Sequence, residues 1–231
     1  MPGPVQQSAR LGLMVLDALG LTGVLRPKVC LVLSASGDDA AYYSLAYEAF
    51  SHAGCDVTAL KLFPQPSADP YERIGSSDLV WVGGGSVANL LALWRLHGVD
   101  AAMRDAWERG VILSGVSAGS LCWHVGGPTD SFGPTLVPVT NALGLLPFAN
   151  GVHYDSEAQR RPLLHDMMSD PALPDVAYAT DDHVGVWYEG TSATRVVADT
   201  HQPSFIGPAA YEITREAGIV RERRVGVGDT F

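Results

Sequence analysis

The chain has 231 residues, of which 47% are hydrophobic and 17% charged, and we predict one well-packed domain over residues 1–231. The formal net charge of −10 argues against nucleic-acid binding, because no cluster of lysines or arginines offsets it locally. Three cysteines at wide spacing indicate neither a disulfide framework nor a zinc site, and no metal is expected.

Residues 1–26 are predicted to form a helical extension ahead of the domain. The apolar segment at 11–25 is too short to span a bilayer, Asp17 interrupts it, and no basic cluster or small-x-small cleavage site marks a signal peptide. We therefore expect a cytoplasmic protein without a membrane partner. The added helix suits oligomer contacts, and a homodimer or higher homo-oligomer is the default expectation.

Strands and helices alternate through the first half of the chain. The predicted elements are buried strands at 28–34, 56–62, 78–82 and 111–114 and helices at 40–53, 86–96 and 100–109. This alternation predicts an α/β fold with a doubly wound, mostly parallel sheet. In such sheets, ligand sites gather at the carboxyl ends of the strands.

The pattern weakens in the second half of the chain. Residues 126–147 are rich in Gly, Pro and Thr, which predicts loops with short strands. The further predicted elements are strands at 151–154, 175–179, 184–188 and 192–198 and a helix at 157–168. We expect them to complete the same sheet with antiparallel strands. Arg221, Arg223 and Arg224, interrupted by Glu222, indicate a solvated surface segment.

The most informative motif is GVSAGS at residues 115–120, directly after an apolar strand. A small-x-Ser-x-small run in this place presents a nucleophilic serine, here Ser117, on a tight strand-to-helix turn. Side chains at Gly115 or Gly119 would collide with the strand or helix packed against the turn. The helix N-terminus offers backbone N–H groups to a developing oxyanion. A plain Gly/Ser-rich turn that caps a helix is the other interpretation.

A serine nucleophile needs a base within hydrogen-bond reach and a carboxylate that orients the base. Of the seven histidines, His153 suits this role, because it lies at a predicted strand end over the sheet edge where Ser117 emerges. His183 and His201 stay open as bases. The candidate acids are Asp130, Asp155, Asp181, Asp182 and Glu189.

The sequence Gly83-Gly84-Gly85 closes the third predicted strand. Without side chains, the backbone N–H groups of such a turn can approach a ligand closely, as an oxyanion hole requires. A tight turn that binds nothing is the alternative. The G-x-G-x-x-G spacing is absent, so a dinucleotide site fits poorly and phosphate binding is a minor hypothesis.

Four motifs follow one another in an informative order: VGGG at 82–85, GVSAGS at 115–120, TDS at 129–131 and HYD at 153–155. Together they resemble the peptidase E (aspartyl dipeptidase) family of serine peptidases, over roughly residues 28–200. The resemblance implies a class I glutamine amidotransferase-like fold, a flavodoxin-like three-layer sandwich in which serine replaces the cysteine nucleophile.

The resemblance also implies roles in a catalytic triad. Ser117 is the expected nucleophile and His153 the expected base. Two residues are candidates for the third member, the acid. Asp130 matches an aspartate downstream of the nucleophile turn, whereas Asp182 falls where relatives place an acidic residue before a glycine.

Further roles follow from the same resemblance. The backbone N–H groups of Gly84 or Gly85 and of Ala118 are expected to bind the oxyanion. Aspartyl dipeptidases hold the acidic side chain of their substrate with an arginine shortly after the histidine. Arg160 and Arg161 are the candidates in this chain, with helix-surface positions as the alternative.

The implied function is a serine exopeptidase that hydrolyses short peptides through an acyl-enzyme on Ser117, with Asp-X dipeptides as candidate substrates and no metal or organic cofactor. Three alternatives stay open. An α/β-hydrolase-type esterase would pair Ser117 with a late histidine such as His201, with Asp182 as the acid. A cyanophycinase-like peptidase would act on polymers, as longer relatives do. A non-catalytic binding protein would keep the scaffold alone.

Overall fold

The computed structural model describes residues 11–199 and 207–231. The strands of this part are β1 (Lys28–Val32), β2 (Asp56–Ala59), β3 (Leu79–Val82), β4 (Ile112–Gly115), β5 (Gly127–Thr129), β6 (Val137–Val139), β7 (Ala149–Gly151), β8 (Val176–Thr180), β9 (Val184–Glu189), β10 (Ser192–Ala198), β11 (Ala210–Glu216) and β12 (Ile219–Val225). The helices are α1 (Leu13–Leu21), α2 (Ala40–His52), α3 (Pro70–Gly75), α4 (Val87–His97), α5 (Val99–Glu108), α6 (Ala118–Leu121) and α7 (Arg160–Met168).

The first four strands form a parallel sheet in the order β2-β1-β3-β4. One face of this sheet packs against α1 and α2, and the other packs against α3, α4, α5 and α6. Because both faces are covered, the central strands β1 and β3 are nearly continuous apolar runs. The doubly wound, three-layer α/β arrangement predicted from the sequence is confirmed.

The second half of the chain does not extend this sheet, which corrects the expectation from the sequence. Strands β7, β8, β11 and β12 form a separate mixed sheet in the order β12-β11-β8-β7, in which only β7 and β8 are parallel. Two antiparallel pairs, β9 with β10 and β5 with β6, form two further two-stranded sheets. In the latter pair Pro128 faces Pro138, and because proline cannot donate to a ladder, the pairing stays short.

The sequence pattern does not predict β11 and β12. The arginines of β12 are exposed, as expected of a solvated surface segment, and Arg223 donates to Glu212 on β11 at 2.7 and 2.9 Å. Consecutive residues of a strand face opposite sides, so Glu222 lies on the other face of the sheet. On the exposed face of β12, a cross-strand ion pair takes the place of the apolar alternation by which a strand is normally recognised.

Several element boundaries differ from those predicted. Helix α1 is shorter than the predicted 11–25, α7 begins at Arg160 rather than 157, and β7 ends at Gly151 instead of beginning there. The early end of β7 leaves His153 in a turn, with a φ of 54°. In the described residues, no helix has both the length and the apolar character needed to cross a membrane.

Candidate active site

Ser117 lies on a strained turn between β4 and α6. Its φ of 57° and ψ of −116° are rarely adopted by residues with a side chain. A Cβ on Gly115 would lie 2.2 Å from the Gly119 carbonyl oxygen, and a Cβ on Gly119 would lie 2.3 Å from the Val82 carbonyl oxygen. Only glycine fits at both positions. The small-x-Ser-x-small motif is therefore a steric requirement of this turn, as expected from the sequence.

His153 connects Ser117 to Asp182. Its Nε2 lies 3.0 Å from Oγ of Ser117, and its Nδ1 lies 2.6 Å from Oδ1 of Asp182. With the proton on Nδ1, the ring donates to the carboxylate and accepts from the serine hydroxyl. This is the hydrogen-bonded arrangement in which a serine can lose its proton to a histidine while a carboxylate stabilises the imidazolium.

Each of these three residues lies two positions beyond the last residue of a strand: Ser117 after β4, His153 after β7 and Asp182 after β8. Because β7 and β8 are parallel neighbours, their following loops emerge at the same edge. Two backbone donors tie these loops together. The N–H of Tyr154 donates to the Thr180 carbonyl at 3.1 Å, and that of Asp182 donates to the Asp155 carboxylate at 2.9 Å.

The surroundings of Asp182 favour the ionised form of its carboxyl. The hydrogen bond from His153 lowers its pKa, partial burial acts in the opposite direction, and a hydrogen bond from Ser156 and the charge of His153 lower it further. The side chain is 39% exposed, so water also solvates the carboxylate. An ionised Asp182 can hold the imidazole in one tautomer and one orientation.

Asp130, the other acid left open by the sequence, lies elsewhere. Its side chain is 60% exposed, and its carboxylate is 3.8 Å from the guanidinium of Arg160. It lines a surface groove together with residues of the 134–136 and 157–159 loops. Both ring nitrogens of His153 already have other partners. Of the two acids, the structure brings Asp182 and not Asp130 to the histidine.

The glycine turn after β3 lies against the serine. A Cβ on Gly84 would be 3.2 Å from Cβ and 3.7 Å from Oγ of Ser117, whereas a Cβ on Gly85 would be 2.3 Å from the Ala35 carbonyl oxygen. Ala118 is the first residue of α6, so its N–H has no partner within the helix. Within residues 11–199 and 207–231, the N–H groups of Gly84 and Ala118 donate to no backbone carbonyl outside the regular elements. The same holds for the N–H of Gly85, so these three N–H groups are the candidates to bind an oxyanion beside Ser117.

Comparison with known proteins gives the family. Residues 6–196 match the model of peptidase family S51. The chain belongs to peptidase family S51. A relative, the uncharacterised peptidase YgaJ of Bacillus subtilis, is 36% identical over 189 residues, which are 77% of this chain and 81% of the relative. Peptidase E of Shewanella denitrificans is 29% identical over 161 residues, which are 66% of each chain.

Two solved structures share the fold. A putative peptidase E from Listeria monocytogenes EGD-e has a TM-score of 0.56 at 15% identity, and the match covers 92% of this chain and 93% of that one. A peptidase from an acI-B1 Actinobacterium has a TM-score of 0.67 at 16% identity, covering 94% and 88%. These likenesses support the class I glutamine amidotransferase-like fold. The family match makes this S51 member a peptidase.

The two arginines predicted to bind substrate are engaged by the protein itself. Arg160 is 3% exposed and donates to the Pro128 carbonyl oxygen and to the Glu157 carboxylate. Arg161 pairs with Glu222 at 2.6 Å and contacts two tyrosine rings. The structure therefore gives no support to an aspartate-binding role for either residue.

Two further histidines, His183 and His201, were candidates for the base. His183 is exposed, and His201 lies outside the described residues, so the esterase alternative that depends on it is not tested. In the part of the S51 peptidase that the structure describes, no three His, Cys, Asp or Glu side chains are grouped to hold a metal ion. Glu222, which contacts the loop of His153, was not a candidate, because nothing local in the sequence links β12 to residue 153.

Proposed function

We propose that this S51 peptidase hydrolyses short peptides through an acyl-enzyme on Ser117. The observation that carries the proposal is the hydrogen-bonded series Ser117, His153 and Asp182, with distances of 3.0 and 2.6 Å. Family membership supplies the reaction class, which is peptide hydrolysis. The strained turn and the series of hydrogen bonds support serine as the attacking group.

Each step of the proposed reaction uses groups described above. Oγ of Ser117 attacks the scissile carbonyl carbon as its proton moves to Nε2 of His153, and Asp182 stabilises the imidazolium. The N–H groups of Gly84 and Ala118 bind the oxyanion. His153 then passes the proton to the amine, which leaves as the C–N bond breaks. A water molecule deprotonated by His153 hydrolyses the ester and restores Ser117.

The substrate is proposed at the level of short peptides. The resemblance to the aspartyl dipeptidase family makes Asp-X dipeptides the first candidates. The internal contacts of Arg160 and Arg161 argue against selection of aspartate by these two side chains. Cleavage of cyanophycin-like polymers stays an alternative. A cytoplasmic location, a homo-oligomeric state and a single domain stay predictions.

A fluorophosphonate probe tests the nucleophile. The wild-type protein should be labelled at Ser117, and Ser117→Ala should lose both labelling and peptide hydrolysis while its circular dichroism spectrum is unchanged. Ser120→Ala, in the same short helix, is the matched control and should be labelled normally. Peptide hydrolysis retained by purified Ser117→Ala would overturn the proposal.

A peptide panel tests the specificity. Dipeptides, tripeptides and N-blocked peptides, with and without a first-position aspartate, should be compared by the amino acids that they release. Release from unblocked short peptides alone supports an exopeptidase that recognises the free amino end. Equal hydrolysis of N-blocked peptides would show that the free amino end is not required.

A further inference from the structure

A cluster of ionic and aromatic side chains lies behind the loops that carry His153 and Asp182. Its members, which we name the Glu222 cluster, are Tyr154, Arg161, His165, Tyr211 and Glu222. The Glu222 carboxylate accepts hydrogen bonds from the Tyr154 hydroxyl at 2.8 Å, from His165 Nε2 at 2.8 Å and from Arg161 Nη1 at 2.6 Å. The Glu222 side chain is only 17% exposed, so these donors replace the water that the carboxylate loses.

Tyr154 joins this cluster to the proposed base, since it directly follows His153. Its backbone N–H is held by Thr180, its ring is buried, and its hydroxyl is held by Glu222. Burial, and then the hydrogen bond to Glu222, raise the pKa of Tyr154, so the phenol remains a donor. His153 has a φ of 54°, in a region that residues with a side chain rarely adopt. Such a conformation persists where neighbouring contacts enforce it.

Tyr211 joins the same cluster to the proposed acid. Its ring lies 5.1 Å from that of Tyr154, and its hydroxyl donates to Asp181 at 3.2 Å. Asp181 directly precedes Asp182 in the chain. The Arg161 guanidinium carbon lies 4.6 Å from the centroid of each tyrosine ring, within the range of a cation–π contact. The ion pair of Arg161 and Glu222 therefore contacts Tyr154, which follows His153. It also contacts Tyr211, which donates to the neighbour of Asp182.

We propose that Glu222 is a positioning residue of the peptidase reaction, which holds Tyr154 and Arg161 so that the His153 imidazole faces Ser117. The inference rests on the proposed function, because it requires His153 to be the base. It also assigns Arg161 a purpose other than binding substrate. A misplacement of about 1 Å at a reacting group can lower turnover about 100-fold, so a residue outside the reacting set can control kcat.

Glu222→Gln tests the proposal, because it keeps the size of the side chain and places an amide donor among the other donors. We expect kcat to fall 10- to 100-fold and KM to change less than about threefold. The downfield proton resonance of the His153 Nδ1–H should shift or broaden. Glu212→Gln is the matched control, since it breaks an ion pair between β11 and β12 on the opposite face of the sheet. It should leave kcat and the resonance unchanged.

Tyr154→Phe is the second variant, because it removes one hydroxyl and keeps the buried ring. It should lower kcat and broaden the same resonance, and it keeps the proposal testable if Glu222→Gln does not fold. Wild-type kcat in a folded Glu222→Gln or Tyr154→Phe variant would overturn the positioning role. So would an equal loss in Glu212→Gln. Activity retained by Ser117→Ala would instead overturn the proposed function itself, so the two failures are distinguishable.

Discussion

The serine turn and the histidine–aspartate loops of this peptidase are built on different principles. Ser117 is positioned within a five-residue turn, where added atoms at Gly115 or Gly119 would collide with backbone carbonyl oxygens. His153 and Asp182 are 29 residues apart, and Tyr154 of the first loop bonds to Glu222 68 residues away. The first region is specified by steric exclusion over a short distance. The second depends on hydrogen bonds and charges between distant segments.

The comparison predicts different responses to mutation. The serine turn should be sensitive to added atoms, because packing leaves no space beside it. The histidine–aspartate region should be sensitive to the loss of a single partner, because a buried polar group without its hydrogen bond is costly. Variants of Asp182 and Gly84 test these two behaviours directly, and variants of His124 and Arg160 test the loss of a buried partner elsewhere in the protein.

The largest effect is expected in the histidine–aspartate region. Asp182→Asn should lower kcat/KM by about 10⁴-fold, because an amide neither fixes the Nδ1–H tautomer nor stabilises the imidazolium. Asp130→Asn should keep a fluorophosphonate labelling rate within about threefold of wild type, since Asp130 contacts Arg160 and not the histidine. Labelling by this probe reports serine activation without peptide recognition. If the probe instead labels Asp130→Asn more slowly than Asp182→Asn, the acid is Asp130.

The next largest effect concerns His124, which links Ser120 of α6 to Tyr188 of β9. Its Nδ1–H donates to the Ser120 carbonyl at 3.0 Å, and the Tyr188 hydroxyl on β9 donates to its Nε2 at 3.2 Å. Burial lowers the pKa of His124 from 6.5 to about 4. The unfolded chain therefore binds a proton between pH 6.5 and 4 while the folded chain does not, so the free energy of unfolding falls as the pH falls through this window.

This linkage should amount to about 3 kcal/mol between pH 8 and pH 4. Urea unfolding at several pH values measures it. His124→Gln should show a smaller loss of stability on acidification than wild type, whereas His52→Gln, at an exposed position of α2, should retain the full loss. An unchanged pH slope in His124→Gln would contradict the assignment.

A smaller effect is expected at Arg160. Arg160→Met should lower the free energy of unfolding by about 2 kcal/mol, because the Pro128 carbonyl oxygen loses its donor. The KM for Asp-X dipeptides and the KM for other dipeptides should change by the same factor. As a control, Arg109→Met removes an exposed ion pair with Asp105 and should change stability by less than about 1 kcal/mol. A selective rise in KM for Asp-X dipeptides would restore the substrate-binding role of Arg160.

The smallest effect tests the space beside the serine. A Cβ on Gly84 would lie 3.2 Å from Cβ of Ser117, a tight contact that small shifts can relieve. Gly84→Ala should therefore fold and lower kcat about tenfold by displacing the serine or the oxyanion donor. Gly20→Ala, where a Cβ meets nothing within 4 Å, should leave kcat unchanged. Wild-type kcat in Gly84→Ala would place the oxyanion site elsewhere.

Predictions from the sequence succeeded where the determining interactions are local. The alternation of apolar strands and helices predicts the parallel sheet, because each element shows its own periodicity. The GVSAGS motif predicts the strained turn. The prediction fails for β12, where Arg223 has a cross-strand partner, Glu212, on β11. A strand of this kind is recognisable only when its neighbour is known.

The amino-acid sequence by itself determined the fold class, the turn at Ser117 and the short list that contained His153 and Asp182. It did so because hydrophobic periodicity and glycine sterics act over a few residues. Only the tertiary structure brought Asp182 and not Asp130 to His153, and only it engaged Arg160 and Arg161 within the protein. His153 meets Asp182 because β7 and β8 pair in parallel and their following loops lie side by side. Hydrogen bonds between loops that are distant in sequence produce no periodic pattern, so the sequence does not show them.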